Sequence, residues 1–222
     1  MMEVTASCQT IEQVKERSTI YISPPHIQRR WSYLVVKRFF DFFFASIGLI
    51  VLAIPMAIIA LIIVLDSPGA PIFKQERLGL NGKPFVIYKF RTMHMDAEKN
   101  GPRWADQEDK RCTQFGVFLR KTRIDELPQL WNILKGDMSF VGPRPERQYF
   151  YEQFEKYIVG FSNRLVVVPG LTGYAQVNGG YELKPEEKIV YDMEYIEKRS
   201  VLLDLWCIVQ TFRVVFSGKG AR

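Results

Sequence analysis

At 222 residues the chain is long enough for one well-buried core, or for a core plus a membrane element. Thirty Lys and Arg against 24 Asp and Glu give a net charge of +6, which suits anionic partners. Yet the basic residues are scattered, with no zinc-finger, RNP or basic-zipper spacing, so no nucleic-acid partner is expected; three distant cysteines (Cys8, Cys112, Cys207) exclude a disulfide framework or Cys-based zinc site.

Residues 1–36 are polar and mixed in charge, with Pro24-Pro25 and no signal-peptide pattern, and read as a flexible extension. Residues 37–68 contain the apolar segment. From Phe42 to Leu65 no formal charge occurs over about 24 residues, enough to span a bilayer as a helix. Basic residues stand on both sides: Arg29, Arg30, Lys37 and Arg38 before, Lys74, Arg77 and Lys83 after. Such charges favour the cytoplasmic side, and one straight crossing would leave one cluster outside. Pro55, in mid-segment, removes a backbone hydrogen bond. The charge symmetry therefore favours a re-entrant helix bent at Pro55 over a kinked crossing, with Asp41 paired to Lys37 one turn earlier.

Residues 69–222 read as a globular domain. Ile72–Arg77 and Phe85–Phe90 are expected strands, joined through Leu80-Asn81-Gly82-Lys83, whose Asn-Gly pair signals a tight hairpin. The two-residue period puts Lys89 and Arg91 on one face. Residues 94–113 read as a helix end and polar loop, and 115–121 as a short helix. Pro128 and Gly136 suit the start and end of another helix, with Asp125 and Glu126 before or at its mouth. Gln148–Phe161 has the spacing of an amphipathic helix, 165–177 is strand-like around Pro169-Gly170, and 186–199 is a helix. Residues 201–216 suit a helix lying on membrane or core. The fold class is thus α+β and helix-rich: a re-entrant N-terminal membrane helix plus a cytoplasmic domain with a short β-hairpin and amphipathic interfacial helices.

The chemistry gathers at residues 122–145. A helix mouth favours negative charge, on a carboxylate or a phosphate. Two adjacent carboxylates there can divide their labour, one on a hard cation such as Mg2+ and the other facing phosphorus. Asp-Glu-Leu-Pro is equally a helix-capping signal; the neighbouring Arg120, Lys121, Arg123 and Arg144 favour the phosphate reading. Arg144 stands between Pro143 and Pro145 and suits a fork onto a diphosphate.

With these features the chain resembles the bacterial sugar transferase family, the monotopic polyprenyl-phosphate phosphoglycosyl transferases, in their compact form. The resemblance rests on Lys37-Arg38-Phe-Phe-Asp41, Gln75-Glu-Arg-Leu-Gly79 and Lys89-Phe-Arg-Thr-Met93. It continues through Arg123-Ile-Asp-Glu-Leu-Pro-Gln-Leu130, Lys135-Gly-Asp-Met-Ser139, Gly142-Pro-Arg-Pro145 and Pro169-Gly-Leu-Thr-Gly173. It implies a seat on the cytoplasmic face of the bacterial inner membrane and a ping-pong, Mg2+-dependent reaction. Asp125 would attack the β-phosphate of a UDP-sugar, release UMP, and pass the phosphosugar to undecaprenyl phosphate. Glu126 would hold Mg2+, while Arg144, with Arg120, Lys89 and Arg91 and the flanking prolines Pro143 and Pro145, would form the donor site. One departure is Ile54-Pro55, where some members have Ser-Pro; it leaves the bend angle open. A membrane-anchored scaffold that binds polyprenyl phosphate or phospholipid without turnover is the alternative, and a single-crossing enzyme using direct transfer is a third reading. Membrane lipid is an expected partner, homo-oligomerisation is compatible with the pattern, and the sugar and the glycan served stay open.

Overall fold

The computed structural model describes residues 19–27, 30–97, 99, 109–180 and 183–217. Most of the expected N-terminal extension and the middle of the 94–113 loop lie outside the described residues. In chain order the elements are β1 (Ile20–Tyr21), α1 (Trp31–Val51), α2 (Ala53–Asp66), β2 (Ile72–Leu78), β3 (Pro84–Phe90) and α3 (Gln114–Lys121). A 3-10 turn (Ile124–Gln129) leads to α4 (Leu130–Lys135), β4 (Ser139–Val141), α5 (Gln148–Glu155) and β5 (Ile158–Val159). After a further 3-10 turn (Phe161–Val166) come β6 (Gly170–Thr172), α6 (Tyr174–Asn178), α7 (Pro185–Lys198) and α8 (Val201–Ser217). The expected helix-rich α+β class holds, with three two-stranded sheets among the described residues.

No described helix is by itself long and apolar enough to cross a membrane. Helices α1 and α2 pass that test only together, bent by 61°. The break falls at Leu52, upstream of Pro55. Pro55 therefore sits in the first turn of α2, where a backbone N–H has no helical partner to lose. No serine hydroxyl is needed at the bend, because the broken bonds belong to a helix start. Both arms turn apolar side chains outward: Ile50, Ile54 and Leu65 are 77, 74 and 77% exposed.

The inward faces explain where the bent pair sits. Ala45 and Leu49 on α1, and Leu52 at the break, pack on Leu130, Ile133 and Met138 around α4. Gly48 belongs to the same stripe, where a β-carbon would stand 3.1 Å from a Leu130 methyl. On α2, Ile63 packs with Phe90 and Leu119. One arm thus holds α4, and the other holds the end of β3 and α3. The 3-10 turn carrying Asp125 and Glu126 joins those two bodies.

The hairpin forms as the Asn-Gly signal requires. Strands β2 and β3 pair antiparallel from Ile72 opposite Phe90 to Leu78 opposite Pro84. Asn81 and Gly82 take φ of 56° and 73° at the turn, the left-handed region these two residues tolerate best. Asn132 of α4 then grips β3 through its side-chain amide, accepting from Tyr88 N (3.1 Å) and donating to Val86 O (2.7 Å).

Several expectations are corrected. Asp41 does not take Lys37 as its hydrogen-bond partner: it accepts from Ser139 Oγ (3.1 Å) and Phe140 N (3.0 Å), while Lys37 pairs with Asp204 of α8 at 2.7 Å. The helix expected over 148–161 stops at Glu155, because Ile158 and Val159 pair in parallel with β1. The strand expected over 165–177 shrinks to β6, which pairs in parallel with β4. Pro128 lies in the 3-10 turn and α4 starts at Leu130, although Gly136 ends that helix as expected, with φ of 93°.

Candidate active site

The carboxylate pair is built from three directions. Thr113 caps α3 by accepting from Gly116 N at 3.0 Å, and α3 runs to Lys121. Arg123 then takes a left-handed conformation (φ 57°), a strained choice for a residue with a side chain, and the chain reverses into the turn holding Asp125 and Glu126. From the end of β3 comes Lys89, and from the segment after β4 comes Arg144. Lys89 Nζ donates to Glu126 Oε1 at 2.8 Å and lies 3.9 Å from Asp125 Oδ2. Arg144 Nη2 donates to the same Glu126 oxygen.

The two acids are buried alike, at 8 and 7% exposure, yet their surroundings differ. Burial opposes ionisation of Glu126, but Arg144 and Lys89 outweigh it and hold that carboxyl well below the usual carboxylate range. Asp125 receives no hydrogen bond among the described residues. Burial, helped by the negative charge of Glu126, pushes it up to about 6 against the pull of Lys89, Arg144 and Arg120. Glu126 is a fixed anion gripped by two cations; Asp125 is a bare carboxylate beside it. That contrast suits Asp125 to attack and Glu126 to anchor.

Of the other expected site residues, Arg120 stays close enough for its charge to act on Asp125. Its Nε donates to Thr92 Oγ1 (3.1 Å) and its Nη1 to Cys112 Sγ (3.2 Å). Arg91 is not brought to the pair. It is buried, and its guanidinium closes the C-terminal end of α2, donating to Ile63 O (3.2 Å), Pro68 O (3.0 Å) and Ser67 O. The strand period located its neighbour Lys89 correctly but gave no sign that a helix end would lie beside Arg91. Pro143 and Pro145 are buried, and their carbonyls accept from Gly170 N (2.9 Å) and Arg77 Nη1 (3.2 Å). They frame Arg144 through the backbone.

Sequence reasoning missed the layer behind Arg144. Arg164 Nη2 donates to the Arg144 carbonyl at 2.9 Å and pairs with Asp192 at 2.6 Å, with side chains only 1 and 2% exposed. Its guanidinium lies over the Phe161 ring at 5.1 Å. Beside it Glu146 pairs with Arg77 at 3.1 Å and stands 3.9 Å from Lys188. Burial opposes the charge on Glu146, but Lys188 and Arg77 pull its carboxyl below its ordinary value. These partners lie 20 to 70 residues apart in sequence, so no local signal points to them.

Among the described residues no group of three or more His, Cys, Asp or Glu side chains forms a metal cage. The donors present, two adjacent and mostly buried carboxylates whose hydrogen bonds among the described residues fall on Glu126 Oε1 alone, nevertheless fit Mg2+. That ion is usually held by one or two carboxylates plus substrate phosphates, with water completing its shell.

Comparison with known proteins places the chain among sugar transferases. Residues 32–218 match the family model described as bacterial sugar transferase. The chain is 55% identical, over 60% of its length and 74% of the relative's, to a Bacillus subtilis (strain 168) protein provisionally named an undecaprenyl-phosphate N-acetylgalactosaminyl 1-phosphate transferase. It is 42% identical over 86% of its length to the Aeromonas hydrophila UDP-N-acetylgalactosamine-undecaprenyl-phosphate N-acetylgalactosaminephosphotransferase, and spans 46% of that protein. It is 40% identical over 83% of its length to the Escherichia coli (strain K12) UDP-glucose:undecaprenyl-phosphate glucose-1-phosphate transferase, and spans 40% of it.

Proposed function

The chain belongs to the bacterial sugar transferase family, and from that premise we propose that it moves a phosphosugar from a UDP-sugar to undecaprenyl phosphate through a covalent intermediate on Asp125. An Asp125 carboxylate oxygen attacks the β-phosphorus, the bond to the bridging oxygen breaks, and UMP leaves with that oxygen. The phosphate oxygen of undecaprenyl phosphate then attacks the same phosphorus, the aspartyl–phosphorus bond breaks, and undecaprenyl-diphosphate-sugar leaves with the carboxylate restored. Two displacements at one carboxylate let a soluble donor and a lipid acceptor use the site in turn.

The observation that carries this reading is the unlike state of the two acids. A carboxylate accepting no hydrogen bond, in a site that excludes most water, is a better nucleophile than one gripped by Lys89 and Arg144. Those two cations supply the positive charge that meets the diphosphate and its developing negative charge. Glu126, together with donor phosphate oxygens, would hold Mg2+, which supplies Lewis-acid polarisation of the phosphorus when bound. Arg164 and the buried carbonyl contacts fix the backbone of Arg144, so its guanidinium need not be ordered at each turnover.

The bent pair α1–α2 supports a re-entrant seat in the cytoplasmic leaflet of the inner membrane. Its exposed apolar side chains, flanked by basic residues at both ends, suit one leaflet entered and left from the same side. The relatives' names make UDP-N-acetylgalactosamine and UDP-glucose the first donors to try.

The test is UMP release by the detergent-purified chain with Mg2+ from these and other UDP-sugars, with and without undecaprenyl phosphate. Intact-mass analysis of the donor-only reaction accompanies it. Lipid-dependent release from one donor, with a phosphosugar mass on the peptide carrying Asp125 and both lost in Asp125→Asn, is expected. Release that persists in Asp125→Asn would overturn the assignment of the nucleophile.

A further inference from the structure

A second cation-lined site opens past the C-terminal end of α4. A cavity of about 190 Å3 opens between the N-terminal half of α1, the C-terminal end of α4, the start of β4 and the segment joining α7 to α8. Its charged lining is Lys37, Arg38, Asp41 and Arg199. Gly136 and Ser139 lie on its wall, whereas Glu126 precedes α4 and Arg144 follows β4. The cavity and the active site thus occupy opposite ends of both α4 and β4, and the same phosphate cannot serve both.

The partners already present leave a definite remainder of charge. Lys37 is matched by Asp204 at 2.7 Å. Asp41 is satisfied by Ser139 and the Phe140 amide. Arg38 donates to the carbonyls of Ile133 (2.6 Å) and Leu134 (2.7 Å), which hold its guanidinium in place without cancelling its charge. Arg199 makes no hydrogen bond or ion pair among the described residues, and is only partly exposed. Three cations against Asp41 and Asp204 leave one unmatched positive charge, the complement of a phosphodiester.

The surroundings say what carries that phosphodiester. Helix α1, which carries Lys37 and Arg38, and α8, which begins two residues after Arg199, turn apolar residues outward: Trp31, Val35 and Phe39 on α1, Leu202, Leu205 and Val209 on α8. Leu202 and Leu205 follow Arg199 by three and six residues. A cation-lined hollow with apolar flanks fits an amphiphile, with the phosphate inside and the acyl chains along the helices.

We propose that this cavity is a structural binding site for the phosphodiester head group of an anionic phospholipid, separate from the donor and acceptor sites. Arg199 and Arg38 are its phosphate ligands. Occupancy ties α1 to α8 at the membrane surface, adding to the Lys37–Asp204 pair. The proposal rests on the reading that α1 and α8 lie at a bilayer, but its readout needs no transfer activity, so either reading can fail alone.

The experiment is native mass spectrometry of the full chain in detergent, titrated with dioleoyl-phosphatidylglycerol, dioleoyl-phosphatidylcholine or water-soluble glycerol 3-phosphate. The wild-type chain is expected to retain one phosphatidylglycerol more tightly than phosphatidylcholine, with little competition from glycerol 3-phosphate. Arg199→Gln, which breaks no hydrogen bond or ion pair among the described residues, should weaken that binding about fivefold, the effect of one cation near an anionic head group. Arg213→Gln removes the same charge from an exposed position on α8 and should change it less than twofold. Equal losses in the two variants would reduce the effect to general surface charge and overturn the site. Displacement of the lipid by glycerol 3-phosphate at comparable concentration would overturn the lipid as its source.

Discussion

Replacing the proposed nucleophile should make the protein more stable while abolishing its chemistry, and the gain should depend on pH in a definite direction. The folded chain pushes the Asp125 carboxyl from 3.8 up to about 6, chiefly by burial. An acid whose folded value is raised loses stability by being ionised. The penalty is complete above the folded value and fades as pH falls towards the unfolded one. At pH 7.5 it amounts to about 3 kcal/mol, from 1.36 kcal/mol per tenfold change in proton affinity. Asp125→Asn removes this term, and burying the amide takes back about 1 kcal/mol. The expected net gain at pH 7.5 is about 2 kcal/mol, or about 4–8 °C in melting temperature for a chain of this size. By pH 4.5 roughly two thirds of the penalty is already gone in the wild-type chain, so the gain should fall to near zero. Guanidinium denaturation of both proteins in one detergent at the two pH values measures it. A variant less stable than wild type at pH 7.5, or equally stabilised at both pH values, would refute the idea that burial strains this carboxyl.

The same displacement fixes a kinetic expectation: attack requires the ionised form, so kcat/KM for the UDP-sugar should rise with pH to a plateau, with its acid limb near 6. A limb near 4 would show that Asp125 is not the titrating group. Arg91→Gln should lower stability by about 1–3 kcal/mol, since the carbonyls ending α2 lose their donor. It should leave the donor KM within about twofold; a large rise in KM would return Arg91 to the substrate site. Asp204→Asn should cost about 2–3 kcal/mol in thermal or guanidinium unfolding. It weakens the acceptor for Lys37 (2.7 Å), Tyr33 (2.9 Å) and Tyr195 (2.8 Å) together. A loss under 0.5 kcal/mol would remove this junction from the supports of α1. Arg164→Met should raise the donor KM more than it lowers kcat, because it loosens Arg144 without touching the nucleophile; an unchanged KM would count against that positioning role.

Local signals carried well from sequence to structure, and long-range ones did not. Asn81-Gly82 specified the hairpin because only a few residues adopt the backbone its turn requires. The helix expected over 186–199 forms as α7, one residue earlier at each end, and Glu187 Oε2 accepts from Lys184 N at 2.9 Å at its start. The carboxylate pair stood out through the surrounding Arg120, Lys121, Arg123 and Arg144, since Asp-Glu-Leu-Pro alone reads equally as a helix cap. What stayed hidden was partner choice. Lys37 passes over Asp41, one turn away, for Asp204, which the chain brings near by folding α8 against α1. Arg91 shares the strand period of Lys89, yet α2 ends beside it and takes its guanidinium. The short parallel pairs, β1 with β5 and β4 with β6, have no local signature, because each strand's hydrogen bonds go to a segment far along the chain.

The segments Gly142-Pro-Arg-Pro145 and Pro169-Gly-Leu-Thr-Gly173 cross with their backbones in contact. A β-carbon on Gly170 would lie 2.1 Å from Gly142 N, and one on Gly173 2.1 Å from Gly142 O. For anyone reading a loss-of-function screen this crossing is a trap. Alanine at Gly142, Gly170 or Gly173 should score as inactive as a change at Asp125, yet what a β-carbon there would meet is neighbouring backbone. They contribute by having no side chain, which lets Arg144 be mounted on a rigid backbone junction. A screen that records the amount of folded protein alongside turnover separates the two groups: Asp125 variants accumulate and do not react, whereas alanine at the crossing keeps the protein from accumulating. Counting both as active-site residues would inflate the catalytic centre with the part that only holds it up.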